Sequence, residues 1–575
     1  MREDIYTKKE KQLKKCNKRM GQIQGWMAFA VVFFIGYLFL TQVVDYRHYR
    51  AKAKRQYQHS NIVMRGDIFD RNGIKLATDT VYYDVYARPD DFNDKVHTKE
   101  ELATLLAPHL NMQPSAILKK LQQQNCNVIL LKKGISREQH DAIAKLNLIE
   151  IPMDKKTTRV YPQECLASHV LGYYNQDAGI STGVEYSARD ILEKVPPQKK
   201  LEKTPEGNVI YNFTTDPVAA IEPAKGEDVT LTIDTAIQHI CEKELYKAIG
   251  KHHAQRGAII VMNPKNGEIL AYAVAPSYNP NNYKNASMTQ LKNWTLTDIF
   301  PPGSTFKIIT IASALALGKI NRNTIVYDPG RIKIDRWEIT NHDWKQKGAP
   351  GNISIVKLFE HSSNCASFKI AMMMTPNEFY NILRKFGFGS KTGIDLPGET
   401  CGLMHDPSTW GKSDIATMSY GYGTSVTAIQ MVSAVAAVAN GGVRITPHVI
   451  KYSQEEYDKR IHHIRVMSEE QAKTIADLLR QSVEEGHYPI KMSDYYIAAK
   501  TGTSKKPRED GRGFTGNCYT STIGFLPATN PQVLIYVVVD SAQGEAWGST
   551  VAAPVFHAVA SQIASILNLM PDKHS

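Results

Sequence analysis

What this 575-residue chain has little of narrows its chemistry before any motif is considered. Its seven cysteines (Cys16, Cys126, Cys165, Cys241, Cys365, Cys401 and Cys518) are too few for a disulfide framework at this length. No two of them stand in a C-x-x-C pair, so thiolate metal sites and thioredoxin-type exchange lose their usual signature. There is no internal repeat and no low-complexity tract, which argues against repeat arrays. The net charge is +12, yet no compact Lys/Arg block with interleaved aromatics occurs outside the N-terminus. The excess reads as a solvated basic surface, and nucleic acid is not an expected partner. Long apolar runs are also scarce, and one dominates.

That run is free of charge from Met20 to Val44, with an apolar centre at Gly25–Leu40. Taken as 25–44 it is long enough to span about 30 Å as a helix. Residues 1–19 hold eight Lys/Arg against three acids, which by the positive-inside rule keeps the N-terminus cytoplasmic and the rest of the chain outside. The rival is a cleaved signal peptide, for which Ala51-Lys52-Ala53 is a weak cleavage site. Asp45, Arg47 and Arg50 intervene, and the run is long for a signal-peptide core. The expectation is a cytoplasmic tail at 1–24 and a retained single-pass anchor at 25–44, with Trp26 and Tyr46 near its ends.

Residues 45–225 mix short β-like runs such as Tyr82–Ala87 with amphipathic stretches such as Lys99–Leu106 and Pro114–Leu121. A charged, proline-containing stretch, Lys194–Gly207, reads as an exposed hairpin or linker. Beyond Gly226 the pattern sharpens. Asp228–Ile233 reads as a lead-in strand before a helix near Ala236–Ile249. Gly257–Met262 and Glu268–Val274 read as strands joined by the turn Asn263–Gly267. A broken helical region covers about 304 to 480. Strands at Tyr495–Lys500, Tyr519–Phe525 and Val533–Val539 and a helix from about Val551 to Leu567 complete the chain. The fold class is therefore α+β, with a five-stranded, mostly antiparallel sheet covered by helices on both faces.

The strongest chemical signal is Phe300-Pro-Pro-Gly-Ser-Thr-Phe-Lys307. Gly303 permits a tight turn, Ser304 opens a helix running to Leu317, and Gly318 caps it. Ser304 and Lys307 stand at i and i+3, on one helix face. A serine hydroxyl needs a base to become a nucleophile, and a lysine amine serves if burial or a second cation lowers its pKa. The Ser304 N–H, at a helix start, is free to face a developing oxyanion. Two further elements complete a set. His361-Ser-Ser-Asn-Cys365 lies at a break in helical periodicity, so Ser362 and Asn364 can project together; the bland alternative is a pair of helix caps. Cys365 reads as a packing residue. Ala499-Lys-Thr-Gly-Thr-Ser504 lies on a strand. There Lys500 supplies positive charge, Thr501 a hydroxyl for a carboxylate, Gly502 room for close approach, and Thr503 a second oxyanion N–H. Three decoys share these patterns: Ser354-Ile-Val-Lys357, Ser277-Tyr-Asn279 and Ser390-Lys-Thr-Gly393.

Each element alone is weak, but the ordered set of S-x-x-K, S-x-N and a strand-borne K-T-G is the signature of penicillin-binding proteins and β-lactamases. Beyond it, the chain resembles the class B penicillin-binding proteins over nearly its whole length. Met64–Gly73 is similar to the first N-terminal motif of that family. Arg159-Val-Tyr-Pro162 with Ala167–Gly172 is similar to the second, and Gly179–Glu185 to the third. Leu231–Gln238, Phe386–Gly389 with Thr392–Glu399, Gly421–Gln430 and Ala439–Gly442 match landmarks of the transpeptidase domain. Two departures concern the branch of the family. Pro301 stands where many members have Glu, as elongation-type members often do, whereas Ser-Ser-Asn at 362–364 lacks the Asp those members tend to carry. The septal division and sporulation branch is the nearer. A third departure is local, since Glu164 stands where the family often has Gly.

The resemblance implies a pedestal domain at 45–225 and a transpeptidase domain at 226–575, with no appended wall-binding module and no glycosyltransferase domain. It implies a D,D-transpeptidase that cross-links peptidoglycan stem peptides from lipid-linked precursor and is a target of β-lactams. Its partners would be a polytopic glycosyltransferase and division-complex proteins in the cell membrane. Ser304 would be the nucleophile and Lys307 its base, with Ser362 and Lys500 relaying a proton to the leaving amine. Asn364 would position the donor backbone, and Thr501, Gly502 and Thr503 would line the carboxylate and oxyanion side. No metal or organic cofactor is required. The alternatives are an elongation-type transpeptidase, or a penicillin-sensing or β-lactamase-like serine acyl-enzyme. A single span and short tail argue against a receptor, and a pedestal of this size against a lactamase. The four Arg and Glu residues of the N-terminal motifs, Arg65, Arg71, Arg159 and Glu185, are expected to contain at least one buried ion pair.

Overall fold

In the computed structural model the described residues are 20, 22, 25–37, 63–194, 202–203, 209–210 and 224–573, apart from 90–91, 93–96, 124–125, 127, 149, 177, 335–336, 509–512 and 545. They fall into two compact units, Met1–Met64 with Val195–Lys225, and Arg65–Lys194 with Gly226–Ser575. In the first unit residues 25–37 are helical, Val63–Met64 pairs in parallel with Ala224–Lys225, and Glu202–Lys203 pairs antiparallel with Val209–Ile210. Among the described residues no helix is long and apolar enough to cross a membrane. The expected anchor extends to Val44, and its stretch 38–44 lies outside the described residues.

The second unit contains two five-stranded sheets. The N-terminal one runs Val229–Thr230, Ile68–Phe69, Lys75–Ala87, Ile129–Ile135, with Met153–Val160 also paired to Lys75–Ala87. Helix Lys99–Leu110 packs beside it. Its start is set by a capping box in which Thr98 accepts from the Glu101 amide and Glu101 accepts from the Thr98 amide. Leu102, Leu106 and Leu110, spaced by four, are its buried stripe. The run Asp228–Ile233 departs from expectation. Only Val229–Thr230 is strand, and it joins this N-terminal sheet in parallel with Ile68–Phe69. Beside that pairing the Asp228 carboxylate accepts from the Asp67 amide at 2.7 Å.

The N-terminal motifs meet in one buried charge cluster. Glu185, fully buried, accepts from Arg65 Nε (3.1 Å), Arg159 Nε (2.6 Å) and the Tyr161 hydroxyl (3.2 Å). Arg159 also donates to Asp79 (3.1 Å) and to the Gly66 carbonyl (2.9 Å). Arg65 also pairs with Glu193, and its guanidinium lies 4.1 Å from the centre of the Tyr174 ring. Arg71 does not belong to this cluster. It pairs with Glu268 at 3.5 Å, because its position in the Asp70–Gly73 turn aims it at the C-terminal part of the chain. Asp70 anchors that turn, accepting from the Ile74 amide (2.7 Å) and the Thr235 hydroxyl (2.8 Å). Glu164 has φ +50°, in the left-handed region that glycine tolerates best.

The C-terminal sheet runs Ile269–Ala275, Arg256–Met262, Val533–Asp540, Phe514–Leu526, Ala498–Pro507, and each neighbouring pair is antiparallel. Its central strands are apolar almost throughout, as a sheet covered on both faces requires. Val533, Ile535, Val537 and Val539 pack with helices Thr235–His252 and Ala552–Ile566. Leu534, Tyr536 and Val538 point the other way, toward helices Lys307–Ala316 and Ala428–Ala439. The last of these is buried along all its length. Within the region read as helical the described residues also form three small antiparallel pairs, Ile325–Asp328 with Gly351–Ser354, Arg331–Ile334 with Trp337–Thr340, and Val443–Ile445 with His463–Arg465. The edge strand Ala498–Pro507 and the N-terminus of helix Lys307–Ala316 frame the site.

Candidate active site

The turn before Ser304 is built to touch the edge strand. Gly303 has φ +61°, donates its amide to the Gly421 carbonyl (3.0 Å), and a side chain there would lie 3.0 Å from Ser504 Cβ. Gly502 makes the approach from the other side, where a Cβ would meet Thr305 Cγ2 at 2.9 Å. Ser304 itself sits in a 3-10 turn, Gly303–Phe306, and the α-helix proper is Lys307–Ala316. The expected α-helix starting at Ser304 is thus delayed by one tight turn. The first turn closes by the Lys307 amide bonding back to the Ser304 carbonyl, three residues earlier. Ser304 and Lys307 still share a face, with Lys307 Nζ 3.0 Å from Ser304 Oγ.

Helix Ile355–His361 stops because Ser362 adopts the left-handed conformation, φ +53°. Ser363 is the N-cap of the next helix, Asn364–Ala371, accepting from the Ala366 amide at 2.9 Å. The middle residue of the triplet is therefore the cap, and Ser362 and Asn364 are left to face Lys307. Lys307 Nζ lies 2.7 Å from the Ser362 carbonyl, 2.7 Å from Asn364 Oδ1 and 3.1 Å from Ser362 Oγ. The orientation of the Asn364 amide is set by its Nδ2 donating to the Thr340 carbonyl at 2.9 Å. A neutral amine has two N–H groups and one lone pair. The Ser362 carbonyl and Asn364 Oδ1 can only accept, so they take the two N–H groups and leave the lone pair for a hydroxyl.

On the edge strand, Lys500 is 3% exposed and donates to the carbonyl of Thr501 (3.2 Å) rather than to Ser362. Thr503 Oγ1 accepts from the Gly548 amide at 2.9 Å and keeps its own proton as a donor. Ser504 is turned away, donating to the Pro301 carbonyl at 2.6 Å, and so ties the strand to the turn before Ser304. Ser304, Ser362, Asn364, Lys500, Thr501, Gly502 and Thr503 all line one cleft of about 570 Å³, walled by His342, Tyr422, Tyr488 and Trp547. Tyr422 lies in the landmark Gly421–Gln430, whereas His342, Tyr488 and Trp547 carried no motif signal.

Burial governs the electrostatics. Lys307 is fully buried, and that burial, followed by the positive charge of Lys500, drives its pKa well below the ordinary lysine value. Burial alone brings Lys500 to about 7. Burial, opposed by Asp343 and aided by Lys307, Lys500 and Lys347, holds His342 below its usual value. Burial also pushes the Cys365 thiol up to about 12, which fits a packing role. No cluster of metal-ligating side chains occurs among the described residues.

Residues 257–561 match the family described as the penicillin binding protein transpeptidase domain, and residues 60–229 match the penicillin-binding protein dimerisation domain. The chain is 32% identical to "Stage V sporulation protein D" of Bacillus subtilis (strain 168) over 523 residues, covering 89% of this chain and 79% of that protein. The chain belongs to the class B penicillin-binding proteins. It is also 28% identical to "Peptidoglycan D,D-transpeptidase FtsI" of Escherichia coli (strain K12), covering 96% of this chain and 92% of that protein. Penicillin Binding Protein 2X from Streptococcus thermophilus shares the fold with a TM-score of 0.72 at 23% identity, over 89% of this chain and 81% of that one.

In this penicillin-binding protein the three decoys have structural work. Ser354 caps helix Ile355–His361, accepting from the Lys357 amide at 3.3 Å, and Lys357 pairs with Glu360 (2.6 Å) and Glu485 (3.1 Å). Thr392 and Gly393 donate backbone amides to the buried Glu399, at 2.6 and 3.1 Å. Ser277 bonds Tyr246 at 2.6 Å, and Asn279 accepts from the Asn281 amide at 2.9 Å.

Proposed function

We propose that this class B penicillin-binding protein is a peptidoglycan D,D-transpeptidase of septal wall synthesis, in division or sporulation, working through an acyl-enzyme at Ser304. The observation that carries the mechanism is the fully buried Lys307 amine 3.0 Å from Ser304 Oγ, with its two N–H directions occupied by carbonyl oxygens. Ser304 Oγ attacks the D-Ala–D-Ala carbonyl of a donor stem peptide as its proton passes to Lys307. The N–H groups of Ser304 and Thr503 receive the oxyanion. The C–N bond then breaks, and the leaving D-Ala amine takes a proton through Ser362 from the Lys307 and Lys500 pair. An amine of a neighbouring stem attacks the ester and gives up its proton to Lys307, which passes it to Ser304 Oγ as the ester C–O bond breaks, forming the cross-link and restoring both residues. Asn364 holds the donor backbone, and the Thr501 and Thr503 hydroxyls hold its terminal carboxylate. The same path opens a β-lactam ring and stops at the ester.

The test is labelling with a fluorescent penicillin followed by a cross-linking assay with a glycan polymerase present. Ser304→Ala abolishes labelling and Ser354→Ala does not; stoichiometric labelling of the Ser304→Ala protein would remove the central claim. The reading also places residues 25–44 across the cell membrane, the catalytic unit outside, and a polytopic glycosyltransferase beside it. Protease added to spheroplasts should digest beyond about residue 45 and spare the tail, whereas release of a soluble form lacking Trp26 would point to a cleaved leader.

A further inference from the structure

Ser363 faces away from the cleft and into a buried polar network that no motif announces. Asp328, fully buried, ends the strand Ile325–Asp328, and Asn341, 4% exposed, follows the strand Trp337–Thr340. Asp328 Oδ2 accepts from Ser363 Oγ (2.5 Å) and Asn341 Nδ2 (2.8 Å), and Asp328 Oδ1 accepts from the Gly330 amide (2.7 Å). Asn341 Oδ1 in turn accepts from the backbone amides of Asn364 (3.0 Å) and Cys365 (3.2 Å). These are the first amides of a helix, which have no partner within it. The neighbouring Thr340 carbonyl is the acceptor that orients the Asn364 amide.

We propose that Asp328 and Asn341 are positioning residues that hold the Ser362–Asn364 turn in register with Ser304 and Lys307, a role that rests on Ser304 being the nucleophile. The geometry makes the dependence direct. Lys307 is oriented by the Ser362 carbonyl and Asn364 Oδ1, each 2.7 Å away. The turn carrying both is tied through Ser363 Oγ and the Asn364 and Cys365 amides to one carboxylate and one amide that flank the pair Arg331–Ile334 and Trp337–Thr340. If that tie loosens, the lone pair of Lys307 loses its aim while the distant core is untouched. A buried polar network of this kind has every member satisfied, so removing one strands the others. Charge adds a second consequence. The groups facing Lys307 are Lys500 on the edge strand, His342, Cys365 and Asp328. Lys500 favours the neutral amine, whereas Cys365 and Asp328 favour the protonated one.

The experiment is the rate of penicillin acylation against pH for the full chain in detergent, with melting temperature measured alongside. Asp328→Asn and Asn341→Asp each disturb the tie, one by removing the carboxylate and the other by setting two carboxylates against each other. Each should lower the plateau rate by about 10-fold to 100-fold, the size expected for misplacing a catalytic group. Asp328→Asn should also move the pH midpoint downward, because a negative charge favouring protonated Lys307 is gone. The double exchange, Asp328→Asn with Asn341→Asp, restores one carboxylate facing one amide and should recover most of the plateau. A purely structural role lowers the melting temperature without moving the midpoint. A folded Asp328→Asn protein with wild-type plateau and midpoint overturns the inference, as does a double variant no faster than the slower single one. A wild-type chain that penicillin does not label at Ser304 sinks the reading of the site itself, and this inference with it.

Discussion

Two places in this molecule bury several charges together, and they do opposite things with them. In the N-terminal cluster Glu185 lies between Arg65 and Arg159, with Asp79 on the far side of Arg159. In the cleft Lys307 and Lys500 are as deeply buried, yet neither has a carboxylate partner among the ion pairs of the described residues. Desolvation penalises a charge equally in both places. Where opposite charge is supplied, Arg159 is held even more firmly protonated than usual, its two acids outweighing burial, although burial still raises the Asp79 carboxyl above its usual value. In the cleft, burial lowers both lysine pKa values, and the like charge of Lys500 lowers that of Lys307 further. One cluster ties three motifs together, and the other lowers the pKa of an amine 3.0 Å from a serine hydroxyl.

The sharpest way to break the contrast is to force a permanent charge into the cleft. Lys307→Arg keeps the cation but cannot deprotonate. Penicillin acylation should fall by roughly 10²–10⁴-fold, the usual contribution of a general base. Acylation near the wild-type rate would reassign Lys307 to electrostatic support. Next in size is the reverse change in the N-terminal cluster. Glu185→Ala strands two guanidinium groups and should cost about 3–5 kcal/mol in denaturant unfolding, while acylation in detergent persists. A stability loss within error of zero would show that the cluster is not the clamp described here.

A smaller effect tests the like-charge half of the comparison. Lys500→Met removes the second contributor to the low Lys307 pKa, after burial. The pH midpoint of acylation should therefore rise toward the free-lysine value of about 10.4 and the rate at neutral pH should fall. The sign follows from the chemistry, since the active form is the neutral amine and activity appears as pH rises through the midpoint. A midpoint unmoved or lowered would show that burial alone sets it. The smallest effect is at Glu164, whose φ of +50° costs a non-glycine residue about 1 kcal/mol. Glu164→Gly should stabilise by up to that amount in the same unfolding assay, and a clear loss would mean that the carboxylate makes a compensating contact.

Much of this was legible because it is local. The spacing of Ser304 and Lys307 puts both on one face whether the first turn is α or 3-10, so the delayed helix start left the pair intact. The five strands of the C-terminal sheet announce themselves as apolar runs. Their bounds shifted, as at Ala498–Pro507, which begins three residues later and ends seven later than the sequence indicated. The small pairs at 325–354 were hidden, since four-residue strands with exposed residues such as Ile325 and Tyr327 carry no clear period. The expected partnership of Arg65, Arg159 and Glu185 has a geometric counterpart, whereas Arg71 turned to Glu268 because direction, unlike charge, is not written in residue type.

The sequence by itself determined the kinds of group available and their near neighbours: a serine three residues before a lysine, a serine and an asparagine flanking a helix cap, a lysine and two threonines along a strand. Only the tertiary structure decided which copies of each pattern share a cleft, and that Ser354, Ser277 and Ser390 do not. It also decided that Asp328 and Asn341 brace Ser363 across 35 and 22 residues of chain. The reason is physical. Spacing is a property of covalent geometry and hydrogen bonding within a turn. Burial, the direction of a lone pair and the charge state of a lysine depend on what every other segment excludes or brings near.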